Sequence, residues 1–417
     1  MKTKTWFISI FVLAATAGGT PAQPVTVTGA GDPNLDIPAV QAAVDQGGQV
    51  NLAGRFSFNA PPTTPAGKTY SRIVTISKDV VISGTPDMQG AMPEIDGGNW
   101  PFHVDAPGAR VTIRGIHFVG PMAGAIWIYA VGGLTITGCR IENVAATIEF
   151  GVQGGQANPV AGGIFVGTDP HPVSAANPGM PGNFSGSLSI SDNYLDIGAS
   201  GSNQTVGIIM FAVGKSPDSE VDLHISGNTI MNVSEVAVNF RYVGGRAHAE
   251  RNTITTGSIG VAGDAIRIFG SGSYLIADNV IDCGWTDGAS TGISVTGQRP
   301  PLPPEEGAIV INNDLTMSAP ASTTFVSGSA GIRIRGTAQL NSVVNNRIRG
   351  SAGAALAVLD QNGNIPGINM LIGNHLQGFQ SSLADIVIDV GVTGTIIVGQ
   401  RSGIEDSGIG TTVVPMQ

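Results

Sequence analysis

Gly167-Thr168-Asp169-Pro170-His171 sets a carboxylate and an imidazole two residues apart in a turn-forming run. Such a pair can take a proton from a substrate carbon and return one. Other chemistry-bearing residues emerge when the short apolar strands are aligned. Gly163–Gly167, Gly207–Phe211, Ala237–Arg241, Ala265–Phe269 and Gly331–Arg335 each read small, apolar, variable, apolar, variable. With the apolar positions facing in, the variable positions stack outward in two columns. One runs His103, Trp127, Phe165, Ile209, Asn239, Arg267, Ser294, Arg333, Ala357. Its neighbour runs Asp105, Tyr129, Gly167, Phe211, Arg241, Phe269, Thr296, Arg335, Leu359.

Aromatic faces pack on sugar rings, and the arginine fork matches carboxylates or sulfates. The strip therefore suits an anionic, uronate-containing polysaccharide, with Trp127, Tyr129, Phe165, Phe211, Asn239, Phe269, Arg333 and Arg335 as binding residues. Elimination or C5 epimerisation of a uronate needs a cation on the carboxylate, a base near C5 and an acid. Arg241 and Arg267 fit the first role, and His171 the proton transfers. Tyr129, Tyr242 and His248 are further acid/base candidates. His248 lies between Ala247 and Ala249 and points outward, and His224 holds the equivalent place one coil earlier. In the competing reading, loops cover the strip and nearby acids pair its arginines. A non-catalytic surface scaffold predicts such a flat, occluded strip.

Calcium is the cofactor that uronate chemistry invites, but Asp105, Asp169 and Asp264 fall on different coils. No metal or other cofactor is expected. Hydrolysis needs two facing carboxylates, and Asp264, Asp360 and Asp389 are isolated in the sequence. Hydrolase and esterase therefore rank below lyase or epimerase.

The elements that position these residues are repeats. Asn193, Asn228, Asn252, Asn279, Asn346 and Asn374 each follow a short apolar strand and precede another apolar residue, with Asp314 and Cys139 in the same place in two weaker copies. Asn tolerates a left-handed bend, and stacked Asn side chains can hydrogen-bond from coil to coil. A supersecondary unit recurring at this interval indicates a solenoid. Helix patterning is confined to Ile37–Val44, with Asp36 as the expected N-cap and Gly47-Gly48 as the stop. That helix covers the open end of the stack.

The helix and the Asn-turn repeats together resemble the pectin-lyase-like right-handed parallel β-helix superfamily over nearly the whole chain. The resemblance implies an all-β, single-stranded solenoid with a short N-terminal capping helix. It leaves the chemistry open, because that superfamily hosts lyases, hydrolases, esterases, epimerases, adhesins and tailspikes. The Gly167–His171 run resembles the Gly-x-Asp-Pro-His core of β-helical mannuronan C5-epimerases, which would make Asp169 and His171 active-site groups. Val166 stands where that family has Tyr, and Pro172 where it has Asp.

Composition sets limits. The chain has 417 residues, 60 of them glycine, and only 12% are charged. Twenty basic against thirty acidic residues leave a net charge of −10. That balance lacks the basic footprint of a nucleic-acid binder. Lys2, Lys4, the apolar run Trp6–Ala17 and the small residues to Ala22 read as a signal peptide over 1–22. An N-terminal strand and capping helix occupy 23–60 and the coils 61–399. The pattern is lost from Gln400, so 400–417 closes the far end. No segment is long and apolar enough to span a membrane. Cys139 and Cys283 fall four coils apart, beyond disulfide reach. The expectation is a secreted monomer that binds or acts on polysaccharide by lyase-like chemistry. The alternatives are a non-catalytic carbohydrate-binding or adhesin-type scaffold, or C5-epimerase-like activity.

Overall fold

The computed structural model describes residues 23–59, 72–144, 160–167, 184–198, 204–211, 213, 221–241, 243–257, 263–270, 272–284, 290–297, 307–319, 329–360, 363, 365–376, 378–400 and 403–415. Short apolar strands separated by tight turns wind through three faces per coil. Val221–Ser226 lies on the first face, Thr229–Met231 on the second and Val236–Arg241 on the third. The next coil repeats them as Arg246–Glu250, Thr253–Thr255 and Asp264–Phe269, each parallel to and in register with its counterpart. Among the described residues the second face stacks 11 strands. The first and third merge into one 24-stranded sheet, because Trp100–Arg114 and Gly124–Thr137 run unbroken through both. The chain is a parallel β-helix, with Ile, Val, Leu and Phe from all three faces filling its interior.

Asn193, Asn228, Asn252, Asn279, Asn313, Asn346 and Asn374 form a ladder where the first face turns into the second. Each Nδ2 donates to the next Oδ1, at 2.9, 3.0, 3.0, 2.8, 2.9 and 3.0 Å in that order. The receiving Oδ1 also accepts the backbone N–H of the preceding ladder residue. Two expectations need correction. The place assigned to Asp314 belongs to Asn313, while Asp314 opens the strand Asp314–Ser318. The left-handed bend falls on the residue before the ladder Asn. Asp192, Arg251, Asp278, Asn312 and Asn345 have φ between 52° and 57°. That bend frees the ladder residue to turn its amide into the stack. Cys139 occupies the ladder position through its backbone, donating its N–H to Asn193 Oδ1 at 2.9 Å.

The single α-helix among the described residues is longer than expected, Pro33–Val44, and begins one turn earlier. Asp32, not Asp36, is its N-cap, accepting the Asn34 N–H at 2.9 Å. Pro33 then fits the first turn, where a missing N–H costs nothing. Asp36 is instead buried, and its carboxylate accepts the N–H groups of Ala30 and Ser57, both at 2.7 Å. Val40, Ala43 and Val44 press into the core at the N-terminal end of the stack. At the other end the coil pattern continues past Gln400. Ile404–Asp406 and Thr412–Val414 extend the third and first faces in register. The acidic Ile404-Glu405-Asp406 and the missing Asn turn hide this in the sequence. Both cysteines are buried and neither forms a disulfide. The expected signal peptide lies outside the described residues.

Candidate functional site

The strip occupies the outer surface of the third face. His103, Trp127, Phe165, Ile209, Asn239, Arg267, Ser294, Arg333 and Ala357 are successive in-register neighbours. So are Gly167, Phe211, Arg241, Phe269, Thr296, Arg335 and Leu359. Asp105 leaves the second column: a register shift after Val104 pairs it with Ala130 rather than Tyr129. A third outward column, absent from the sequence reading, runs Val206, Val236, Asp264, Thr291, Ala330 and Ala354. It exists because two consecutive inward residues, such as Ala237-Val238 after Val236 and Ala265-Ile266 after Asp264, break the alternation.

The three columns differ in exposure. In the middle column His103 and Trp127 are 0% exposed and Phe165 6%, so that column is occluded. The neighbouring column forms the rim, where Tyr129, Arg241, Phe269 and Arg335 are half-buried. Toward the N-terminus the strip is aromatic. The ring centroids of His103 and Trp127 lie 4.3 Å apart, those of Trp100 and Trp127 6.4 Å. Phe165 and Phe211 stack at 6.4 Å. The Arg241 guanidinium sits 5.6 Å over the Phe211 ring, and Phe269 is its neighbour on the next coil.

Toward the C-terminus the strip is ionic. Asp264 accepts hydrogen bonds from Arg267 Nε at 2.6 Å and Arg333 Nη2 at 3.0 Å. Arg267 Nη1 also donates to Glu235 Oε1 at 3.1 Å. Burial pushes the Asp264 carboxyl up, but the charges of Arg267, Arg333 and Arg335 outweigh it and hold it below the usual range. Burial likewise opposes the Arg267 charge, and Asp264 and Glu235 more than restore it. For Arg333, burial dominates and lowers its pKa. Arg267 and Arg333 thus have their charges met within the protein. Arg335 Nε donates to Thr296 Oγ1 at 3.1 Å. Asn239 Oδ1, Thr291 Oγ1 and Arg333 Nε are buried without a hydrogen-bond partner among the described residues, so this polar layer has unused capacity there.

Asp169, His171 and Tyr242 lie outside the described residues, as do Gln298–Glu306 and most of Thr168–Gly186. Gly167, the last described residue before the Asp-Pro-His run, sits in the rim column. Sequence reasoning missed Glu235 and took Asp264 as isolated. The signal that finds them is the aligned apolar pair following Val236 and Asp264. His224 and His248 project from the first face, away from the strip. A cavity of about 910 Å³ near the C-terminal coils, between Arg347, His375, Phe379 and Asp385, contains none of the strip residues.

No protein-family profile matches the sequence, and no curated protein matches it. Solved structures do resemble it in fold. A double mutant of the tailspike protein of E. coli bacteriophage HK620 is 14% identical, with a TM-score of 0.50 over 90% of this chain and 69% of that one. The A-module of the Azotobacter vinelandii mannuronan C-5 epimerase AlgE6 is 13% identical, with a TM-score of 0.40 over 92% and 90%. PfbA, a surface adhesin of Streptococcus pneumoniae, is 11% identical, with a TM-score of 0.47 over 92% and 91%. Among the described residues no helix is long and apolar enough to cross a membrane. By its repeating parallel coils the chain takes its place among the parallel β-helix proteins.

Proposed function

We propose that the protein binds an anionic polysaccharide lying along the rim of the third face, parallel to the helix axis. The observation that carries this reading is the set of half-buried rim residues Tyr129, Arg241, Phe269 and Arg335, in which aromatic surface alternates with guanidinium along the axis. Arg241 and Arg335 lie three coils apart, about 14 Å along the axis. They would meet two acidic groups of one polymer, while Arg267 and Arg333 hold the sheet beneath. The occluded middle column favours binding on the rim over a deep catalytic cleft. The apolar run Trp6–Ala17 supports a place of action outside the cytoplasm. Electrophoresis of purified protein through gels cast with alginate, polygalacturonate or neutral glucan tests the reading. Retardation by the acidic polymers alone is expected; equal migration in all gels would refute it.

A second reading rests on the placement of Gly167. It lies two coils from Arg241 in the rim column, roughly 10 Å along the axis. The chain leaves that point into Thr168-Asp169-Pro170-His171. Lyase-like or C5-epimerase-like chemistry would then use Arg241 on the uronate carboxylate and His171 with Asp169 for proton transfer. Proton NMR of uronate polymers after incubation decides it. Olefinic signals mark elimination, changed anomeric ratios mark epimerisation, and an unchanged spectrum leaves binding alone.

A further inference from the structure

The first face carries a cluster that the polysaccharide reading does not use. His224 and His248 are in-register neighbours on adjacent coils. Leu223, Ile225, Ala247 and Ala249 are buried in the core, so alternation turns both imidazoles outward. The two ring centroids are 4.7 Å apart. Carboxylates flank the pair. Asp222 brings Oδ2 to 3.3 Å from His224 Nε2 and Oδ1 to 4.0 Å from His248 Nε2. Glu250 brings Oε2 to 3.9 Å from His248 Nδ1. One donor atom each from His224, His248 and Glu250 lie within 4.8 Å of one another.

A separate observation concerns Asp222. Its Oδ1 is buried and has no hydrogen-bond partner among the described residues. A carboxylate oxygen withdrawn from water without a partner is costly, and this one faces the imidazole pair.

We propose that His224, His248 and Glu250 bind one divalent cation of the zinc type and clip two adjacent coils together, with Asp222 orienting the imidazoles beside it. Two imidazole nitrogens with carboxylate oxygens suit zinc, whereas calcium prefers oxygen alone. Zinc–ligand bonds of about 2.0–2.2 Å set tetrahedral donors roughly 3.4 Å apart. Ser189 and Leu275, the column neighbours on either side, add no charge. The competing cation is Arg246, with Nη2 3.6 Å from Asp222 Oδ2 and a largely exposed side chain.

The test is titration of the chelator-treated full chain with Co²⁺, read by its visible d–d absorption, followed by displacement with Zn²⁺. One Co²⁺ per chain is expected, with affinity at least tenfold weaker in His224→Gln and His248→Gln and equal or tighter in Arg246→Gln. Zinc should raise the thermal midpoint of the wild type and leave both histidine variants unmoved. Far-UV circular dichroism checks that the variants fold, and Glu250→Gln is a second probe on the same strand. The absence of saturable Co²⁺ binding in the wild type, or unchanged affinity in folded histidine variants, would overturn the site.

Discussion

Arg333 Nη2 lies 3.0 Å from Asp264 Oδ1 although two coils of the third face separate the residues. The coil between them presents only Thr291 and Ser294 at the matching positions, small enough for the arginine to lie along the stack. Arg267 grips the other Asp264 oxygen and reaches back to Glu235. One buried carboxylate thereby ties coils together along the axis.

Truncating Asp264 leaves the buried Arg333 without its acidic partner and Arg267 with Glu235 alone. Asp264→Ala should cost about 3–5 kcal/mol in urea unfolding. The variant Glu235→Gln, Asp264→Leu, Arg267→Met, Arg333→Met, which replaces the whole network, should recover much of that loss, because apolar packing can replace a buried ionic group. A loss below about 1 kcal/mol for Asp264→Ala, against the range for broken buried pairs, would mean that the network is not desolvated as described.

The same carboxyl gives stability a pH dependence. Its folded pKa is held below the ordinary value, so the unfolded chain binds its proton first as pH falls. The contribution is fully present above the unfolded carboxylate pKa, about 3.9, and is lost as pH drops through the folded value. Unfolding at pH 6 and in the acid range should show the wild type losing more stability than Asp264→Asn. Equal acid sensitivity would assign the effect to other carboxylates.

The Asn ladder predicts a graded response. Asn252 Oδ1 accepts from both Asn228 N–H and Asn228 Nδ2, and its own Nδ2 donates to Ile225 O at 3.0 Å. Asn252→Ala strands these buried groups at about 1–3 kcal/mol for each one left unsatisfied. Asn374, the partly buried last rung, should cost less when replaced. Calorimetry of the two variants checks the order; a reversed order would show that the ladder does not act through buried satisfaction.

Much of the architecture was legible because coil stacking converts sequence alignment directly into spatial register. The column from His103 to Ala357 follows from that alone. What was not legible came from breaks in the period. Paired inward residues such as Ala265-Ile266 shift Asp264 outward and create the third column. A bulge after Val104 removes Asp105 from the rim. The left-handed bend one residue before each ladder Asn is a backbone property that composition does not mark. Burial of Trp127 was also beyond the sequence, since an outward position on a sheet does not say what lies over it.

The thiols offer a check on the interior. Burial pushes the Cys139 thiol up to about 12, and Cys283 is also buried. Neither should react with an alkylating reagent in the folded protein at pH 8, and both should after denaturation. Native labelling of Cys139 would contradict the ladder placement of its coil.

The central claim is that an acidic polymer runs along the Tyr129–Arg335 row. Calorimetric titration with uronate oligomers of increasing length tests it most directly, using the wild type, Arg241→Ala and Arg335→Ala. Each substitution should weaken binding by roughly tenfold to a hundredfold, the range for a lost charged hydrogen bond, and added salt should weaken it further. Oligomers too short to span both arginines should feel only one substitution. Undiminished binding in both variants, or none in the wild type, would contradict the account.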